Sequence, residues 1–101
     1  MRYSFHLIIR NEMKDEYIKR HKNVWPELLK LLKEAGVRNY SIFMDGTDIF
    51  GYWECEDLSR ALGIINSSEI NRKWQQFMSD VVITAPENRT GDTVMEVFHL
   101  D

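Results

Sequence analysis

Apolar and polar positions alternate from the start of the chain. Tyr3, Phe5, Leu7 and Ile9 interleave with Ser4, His6 and Ile8, which predicts a strand with apolar character on both faces. From Met13 the period lengthens: Met13, Tyr17, His21 and Val24 recur at helical spacing, while Lys14, Asp15, Glu16, Lys19, Arg20 and Lys22 fill the positions between. That is the pattern of an amphipathic helix. Pro26 has no amide hydrogen and disfavours a helical Trp25, so the helix kinks or restarts there with Pro26 in the first turn of a second segment. Leu28, Leu29, Leu31 and Leu32 carry the apolar stripe on to Gly36, a C-terminal stop.

Residues 39–44 and 49–55 are two strand-like runs separated by Asp45-Gly46-Thr47-Asp48, which predicts a β-hairpin. Asp57 caps a helix from Leu58 to Ile65, Asn66-Ser67-Ser68 breaks it, and Ser68 caps another from Glu69 to about Val82. Trp74, Phe77, Met78, Val81 and Val82 form the apolar stripe of that last helix. Residues 84–92 read as a polar loop, and Thr93 to Leu100 as a closing strand.

The order β-α-β-β-α-β predicts an α+β fold of ferredoxin-like type, a four-stranded antiparallel sheet with helices on one face. The strands nevertheless carry apolar side chains on both faces: Tyr40, Ile42 and Met44 against Phe43, Phe50 and Tyr52 against Trp53, Val94 and Phe98 against Met95 and Val97. A bare apolar sheet face is an association surface. It predicts a homodimer packed sheet to sheet, a dimeric α/β barrel built from two chains.

Composition narrows the function classes. With 101 residues, 44% hydrophobic and 29% charged, residues 1–101 read as one domain. A chain of this size buries about two-thirds of its unfolded surface, enough for a core without disulfide or metal staples. The single Cys55 has no intramolecular partner, and the His, Cys and acidic residues show no zinc-type spacing. A reducing, cytoplasmic setting follows. A polar N-terminal stretch and the lack of a long apolar run argue against secretion and a membrane partner. A net charge of -3 argues against nucleic acid. The aromatic content of 12% requires some rings near the surface or at an interface.

Tyr17 and His21 stand at i, i+4 on one helix face beside the Pro26 irregularity, and a neutral imidazole with a phenol supplies donors and acceptors near neutral pH. Trp74, between Lys73 and Gln75-Gln76, is either a stacking platform for a sugar or a member of the apolar stripe. Tyr40 either points its hydroxyl into a barrel mouth or sits in the core with a wet tip. His6 and His99 read as packed or rim side chains, and Asp45, Asp48, Glu54, Glu56 and Asp57 as solvated charge. No Gly-rich phosphate loop, nucleophile elbow or metal triad is present in the sequence.

Three blocks, in order, resemble the L-rhamnose mutarotase family. They are Glu16-Tyr17-x-x-Arg20-His21-x-x-Val24-Trp25-Pro26-Glu27-Leu28, then Gly36-x-x-Asn39-Tyr40-Ser41-Ile42-Phe43, then Lys73-Trp74-x-x-Phe77-Met78 followed by Glu96-Val97-Phe98. The resemblance implies a cytoplasmic, cofactor-free, dimeric α/β-barrel isomerase that interconverts the anomers of a 6-deoxyhexose. It implies that His21 is the catalytic acid/base and that Tyr17, Tyr40 and Trp74 contact substrate. Members commonly carry two adjacent Trp where this chain has Trp74-Gln75, so L-fucose stands beside L-rhamnose as a candidate sugar. The residues suit the chemistry independently, because one imidazole of near-neutral pKa can shuttle the proton that ring opening moves. Two other classes remain on the sequence alone: a non-catalytic small-molecule-binding module and an oxygen-dependent monooxygenase of the same architecture.

Overall fold

Several elements of the fold begin or end where the sequence supplies a signal. The computed structural model describes residues 1–83 and 94–101. In order they form β1 (Arg2–Ile8), a 3-10 turn (Asn11–Met13), α1 (Lys14–His21), α2 (Pro26–Glu34), β2 (Arg38–Asp45), β3 (Asp48–Glu54), α3 (Leu58–Ser67) and α4 (Glu69–Phe77). Pro26 takes the first turn of α2, so the expected restart is a clean break between two helices. Gly36, at φ 88°, closes α2 in a Schellman motif: its own N–H donates to Lys33 O and that of Val37 to Leu32 O, both at 3.0 Å. Asp57 and Ser68 cap α3 and α4 by accepting from the N–H groups of Arg60 and Asn71. Gly46, at φ 61°, takes the first central position of the two-residue hairpin loop.

The sheet order is β1-β3-β2, antiparallel throughout. The hairpin places β3 beside β2, and the α1–α2 crossover brings β1 to the other edge of β3. The register pairs Tyr3 with Trp53, Phe5 with Gly51 and Leu7 with Ile49 on one side, and Ile42 with Gly51 and Met44 with Ile49 on the other. These residues therefore share one face, and the helices cover it. Leu7, Ile9, Tyr17, Leu28, Ile49, Trp74, Met78 and Val81 make one buried cluster, and Ala35, Val37, Trp53, Cys55 and Ala61 a second. The opposite face carries no helix and presents Phe43 at 63% exposure and Phe50 at 43%.

The structure corrects the expected topology at the C-terminal end. α4 stops at Phe77 instead of reaching Val82. Val81 is fully buried, Val82 bridges Ile9, and the segment exchanges hydrogen bonds with the end of β1, Arg10 N–H to Val81 O at 2.9 Å and Ile83 N–H to Ile8 O at 2.8 Å. Edge donors and acceptors on β1 thus capture residues that a helix would otherwise keep. The closing strand expected over Thr93–Leu100 is also not formed. Thr93 lies outside the described residues, as does the expected polar loop, and Val94–Leu100 carries no strand. Alternation alone does not make a strand without ladder hydrogen bonds, and the Arg2–Glu96 ion pair at 3.1 Å ties this segment to β1. Met95, Val97, Phe98 and Leu100 are exposed.

Gly51 sits where the two pairings meet. A Cβ built there would lie 2.1 Å from the Phe5 ring, which crosses β3 at that point. Gly51→Ala is expected to push Phe5 out of place and destabilise the fold by about 1–3 kcal/mol, the usual range for overpacking. Urea denaturation of both proteins measures it, and an unchanged midpoint would show that Phe5 has a second place to go.

Candidate functional site

The inward face of α1 carries Tyr17 and His21 one turn apart, with Tyr17 only 5% exposed. Their rings stack at 4.2 Å and 26°. His21 Nδ1 lies 3.0 Å from the Tyr17 carbonyl oxygen. A carbonyl only accepts, so Nδ1 carries the proton of the neutral ring and Nε2 is left as its basic nitrogen. Burial pushes the His21 pKa below its ordinary 6.5, and the bond to Tyr17 opposes that shift in part. The imidazole is therefore neutral at pH 7.

Three other elements bring rings to the same place. Trp74 of α4 stands edge-on to His21 at 5.6 Å and to Trp25 at 5.1 Å. Tyr40 of β2 meets Phe5 edge-on at 6.3 Å and lies 6.5 Å from Trp53. It lines the cavity with Ile42 and Met44 on the helix-covered face. Burial raises the phenol pKa of both Tyr17 and Tyr40, and for Tyr40 the neighbouring Tyr17 and Tyr3 add to the effect. Both are proton donors at neutral pH and not bases. Neither hydroxyl hydrogen-bonds another described residue, and with Tyr40 39% exposed and no buried polar atom left unpaired among the described residues, both are open to water or to a polar guest.

A cavity of about 670 Å³ opens between α1, α2 and β2, walled by Tyr17, His21, Leu28, Leu32, Tyr40 and Trp74 among others. A smaller one, about 170 Å³, continues toward α3 and α4 and shares those six residues. The four residues singled out from the sequence thus line one continuous site, mostly apolar with a few fixed polar groups, the composition of a small-molecule site. Trp74 is core and wall at once: it is 7% exposed and belongs to the first buried cluster.

The Arg20 guanidinium fixes the spacing of α1 and α4. Its Nε donates to Glu16 at 2.7 Å, and Nη1 donates to the Phe77 carbonyl at 2.7 Å and to Asp80 at 2.9 Å, with the group 4.3 Å above the Phe77 ring. Charge-assisted bonds of this kind, with one partner nearly enclosed, hold geometry well. His6 and His99 stay out of the cavity, paired with Asp48 and Asp101 at 2.8 Å each. Three of the acids read as solvated charge also have partners. Asp48 pairs with His6, Asp57 caps α3, and Glu54 accepts from the Tyr52 hydroxyl at 2.6 Å and from Asn39 Nδ2 at 2.8 Å.

The sequence reading missed Arg38 and Asn39 on the outer wall and Asn66 and Asn71 on the inner one, and noted Gln75 only as a departure. Asparagines in a strand and in helices go against propensity, which was the available signal for Asn39, Asn66 and Asn71. Among the described residues no cluster of three His, Cys, Asp or Glu could hold a metal ion, and no helix is long and apolar enough to cross a membrane.

A family model of L-rhamnose mutarotases matches residues 2–100. An L-rhamnose mutarotase from Oceanobacillus iheyensis is 40% identical, with 99% of this chain and 98% of that protein covered. One from Opitutus terrae is 38% identical, covering 100% of this chain and 99% of its own. Among solved structures, the crystal structure of an L-rhamnose mutarotase from Formosa agariphila superposes with a TM-score of 0.81 at 30% identity, over 100% of this chain and 99% of that one. Likeness of this extent, from end to end in both sequence and fold, establishes that the chain belongs to the L-rhamnose mutarotase family.

Proposed function

We propose that this protein is an isomerase that interconverts the α and β anomers of L-rhamnose in the cavity between α1, α2 and β2, with His21 as the general acid/base. The observation that carries the reading is the commitment of His21 Nδ1 to the Tyr17 carbonyl, which leaves a neutral Nε2 as the basic nitrogen of a residue walling both cavities. Nε2 takes the proton of the anomeric hydroxyl as the O–H pair becomes the C1=O bond and the C1–O5 bond breaks. The imidazolium then delivers that proton to O5, giving the open-chain aldehyde. Rotation about C1–C2 presents the other carbonyl face, and the same steps in reverse close the ring. Atoms and charge balance within the sugar and one imidazole.

The tyrosines, held in the phenol form by burial, act as donors: Tyr17 orients or relays the proton and Tyr40 bonds sugar hydroxyls. Trp74 offers an apolar wall to the C–H face and methyl group of a 6-deoxyhexose. Gln75, with Asn66 and Asn71 on the inner wall, supplies amides that read the hydroxyl pattern, and this keeps L-fucose as the competing substrate.

The site is carried by one domain, residues 1–101, in a cytoplasmic homodimer. The β1-β3-β2 order with helices on one face supports a ferredoxin-like arrangement, and the exposed Phe43 and Phe50 on the other face support a dimeric α/β barrel closed sheet to sheet. The lone buried Cys55 suits a reducing compartment.

His21→Ala is expected to lower catalysed exchange by about 10²-fold or more, read by NMR saturation transfer between the anomeric protons. Wild-type exchange in a folded variant would end the assignment. L-fucose run beside L-rhamnose decides the sugar.

The rate should also fall with acid. Because the folded-state pKa of His21 lies below 6.5, Nε2 stays free above that value and is lost as pH drops through the depressed pKa. The same group makes the fold less stable in that window, since the unfolded chain takes up the proton first. A rate that is already half lost at or above pH 6.5 would contradict this.

Replacing Phe43 and Phe50 together with Glu should turn the dimer into monomers in sedimentation velocity, since buried like charges on facing sheets are costly. A dimer that survives both changes does not use this face.

A further inference from the structure

Val37 stands just before β2 and three residues from Tyr40, so a regular strand extended through both would turn them to opposite faces. Yet Val37 is buried in the cluster of Trp53 and Cys55, and Tyr40 lines the cavity on the same side. The conflict is resolved by one extra residue. Between the pairs Arg38–Glu54 and Ser41–Tyr52, β2 advances three positions while β3 advances two. Asn39 occupies the bulge at φ 52°, and it is the one non-glycine residue with positive φ among the described residues. Bulges re-aim side chains beside sites, and Asn tolerates the left-handed region better than most residues.

The bulge is anchored as well as bent. Asn39 Nδ2 donates to Glu54, which the Tyr52 hydroxyl holds from its other oxygen, so Asn39 is tied to β3 across the strand gap. On its far side the Tyr40 ring is met by Phe5, which lies over the bare backbone of Gly51. Tyr40 is thus set by a backbone kink behind it and a ring beside it.

We propose that Asn39 is a positioning residue: its left-handed bulge aims the Tyr40 hydroxyl into the cavity and so sets the affinity of the site for its sugar. The inference rests on the reading of Tyr40 as a sugar contact. A device that only lets Val37 reach the core would affect stability alone, whereas a positioning role acts through Tyr40.

Four variants separate these roles: Asn39→Gly, Asn39→Val, Tyr40→Phe, and Asn39→Val combined with Tyr40→Phe. Each is assayed for L-rhamnose anomer exchange by NMR, well below its melting temperature. Glycine keeps the left-handed conformation at no steric cost but gives up the tie to Glu54, so Asn39→Gly should raise apparent KM clearly less than Asn39→Val does. A β-branched residue must leave that region or strain it, so Asn39→Val should raise KM about tenfold with kcat little changed. The double variant should be no worse than the poorer single one. The inference is overturned if Asn39→Val lowers only the melting temperature, if Asn39→Gly is as impaired as Asn39→Val, or if the two losses add fully. Should Asn39→Val fail to fold, Asn39→Ala is judged by the same criteria. Tyr40→Phe with wild-type KM removes the sugar-contact reading and the inference together, while additive losses beside an impaired Tyr40→Phe remove the inference alone.

Discussion

β3 is paired on both edges, so every residue along it but Trp53 fixes the height and facing of two others. Ile49 sets Leu7 and Met44, Gly51 sets Phe5 and Ile42, and Trp53 sets Tyr3. The helix-covered face of the molecule is therefore decided by one strand with strict alternation. The place where that strand has no side chain is also where the site is supported. Phe5 crosses over Gly51, and the edge of its ring meets Tyr40. A packing choice made for the sheet fixes one wall of the chemistry.

The rings that do the packing also set the protonation states. Tyr17 and Trp74 belong to the same buried cluster as Leu7, Leu28 and Ile49, and they wall the cavity as well. Burial disfavours charge, so it lowers the His21 pKa and raises those of Tyr17 and Tyr40. The result is one neutral base in a cavity wall shared with two phenols that remain donors. No charged partner is required to produce it, and none of the described carboxylates approaches the imidazole within hydrogen-bond distance. The arrangement suits a reaction whose only need is a proton taken from one oxygen and given to another.

Much of this was legible because it is local. Pro26, Gly36, Asp57 and Ser68 act within a turn of themselves, and the structure has a helix start or stop at each. The Tyr17–His21 pair was legible for the same reason, since i, i+4 neighbours on a helix meet whatever surrounds them. What sequence periodicity missed depends on partners far along the chain. Val81 and Val82 fit a helical stripe but answer to the edge of β1, and the alternation of Val94–Leu100 says nothing of whether an edge is available. The one-residue bulge at Asn39 is invisible until the register with β3 is known, because a strand with an extra residue still reads as a strand.

The aromatic excess divides along the same plane as the fold. On the covered face, Tyr17, Tyr40 and Trp74 are locked by neighbours at 4.2 to 6.5 Å and enclose a concave space. On the open face, Phe43 and Phe50 have no helix over them, and Phe50 stacks with His6 at 4.8 Å. Rings of the first kind are held from several elements and create a cavity, which selects a small polar guest with an apolar edge. Rings of the second kind lie on a flat sheet without walls, a geometry that only another flat surface can cover well. On the proposed reading, catalysis and association fall to opposite faces of three strands, and β3 alternates between the two at every residue.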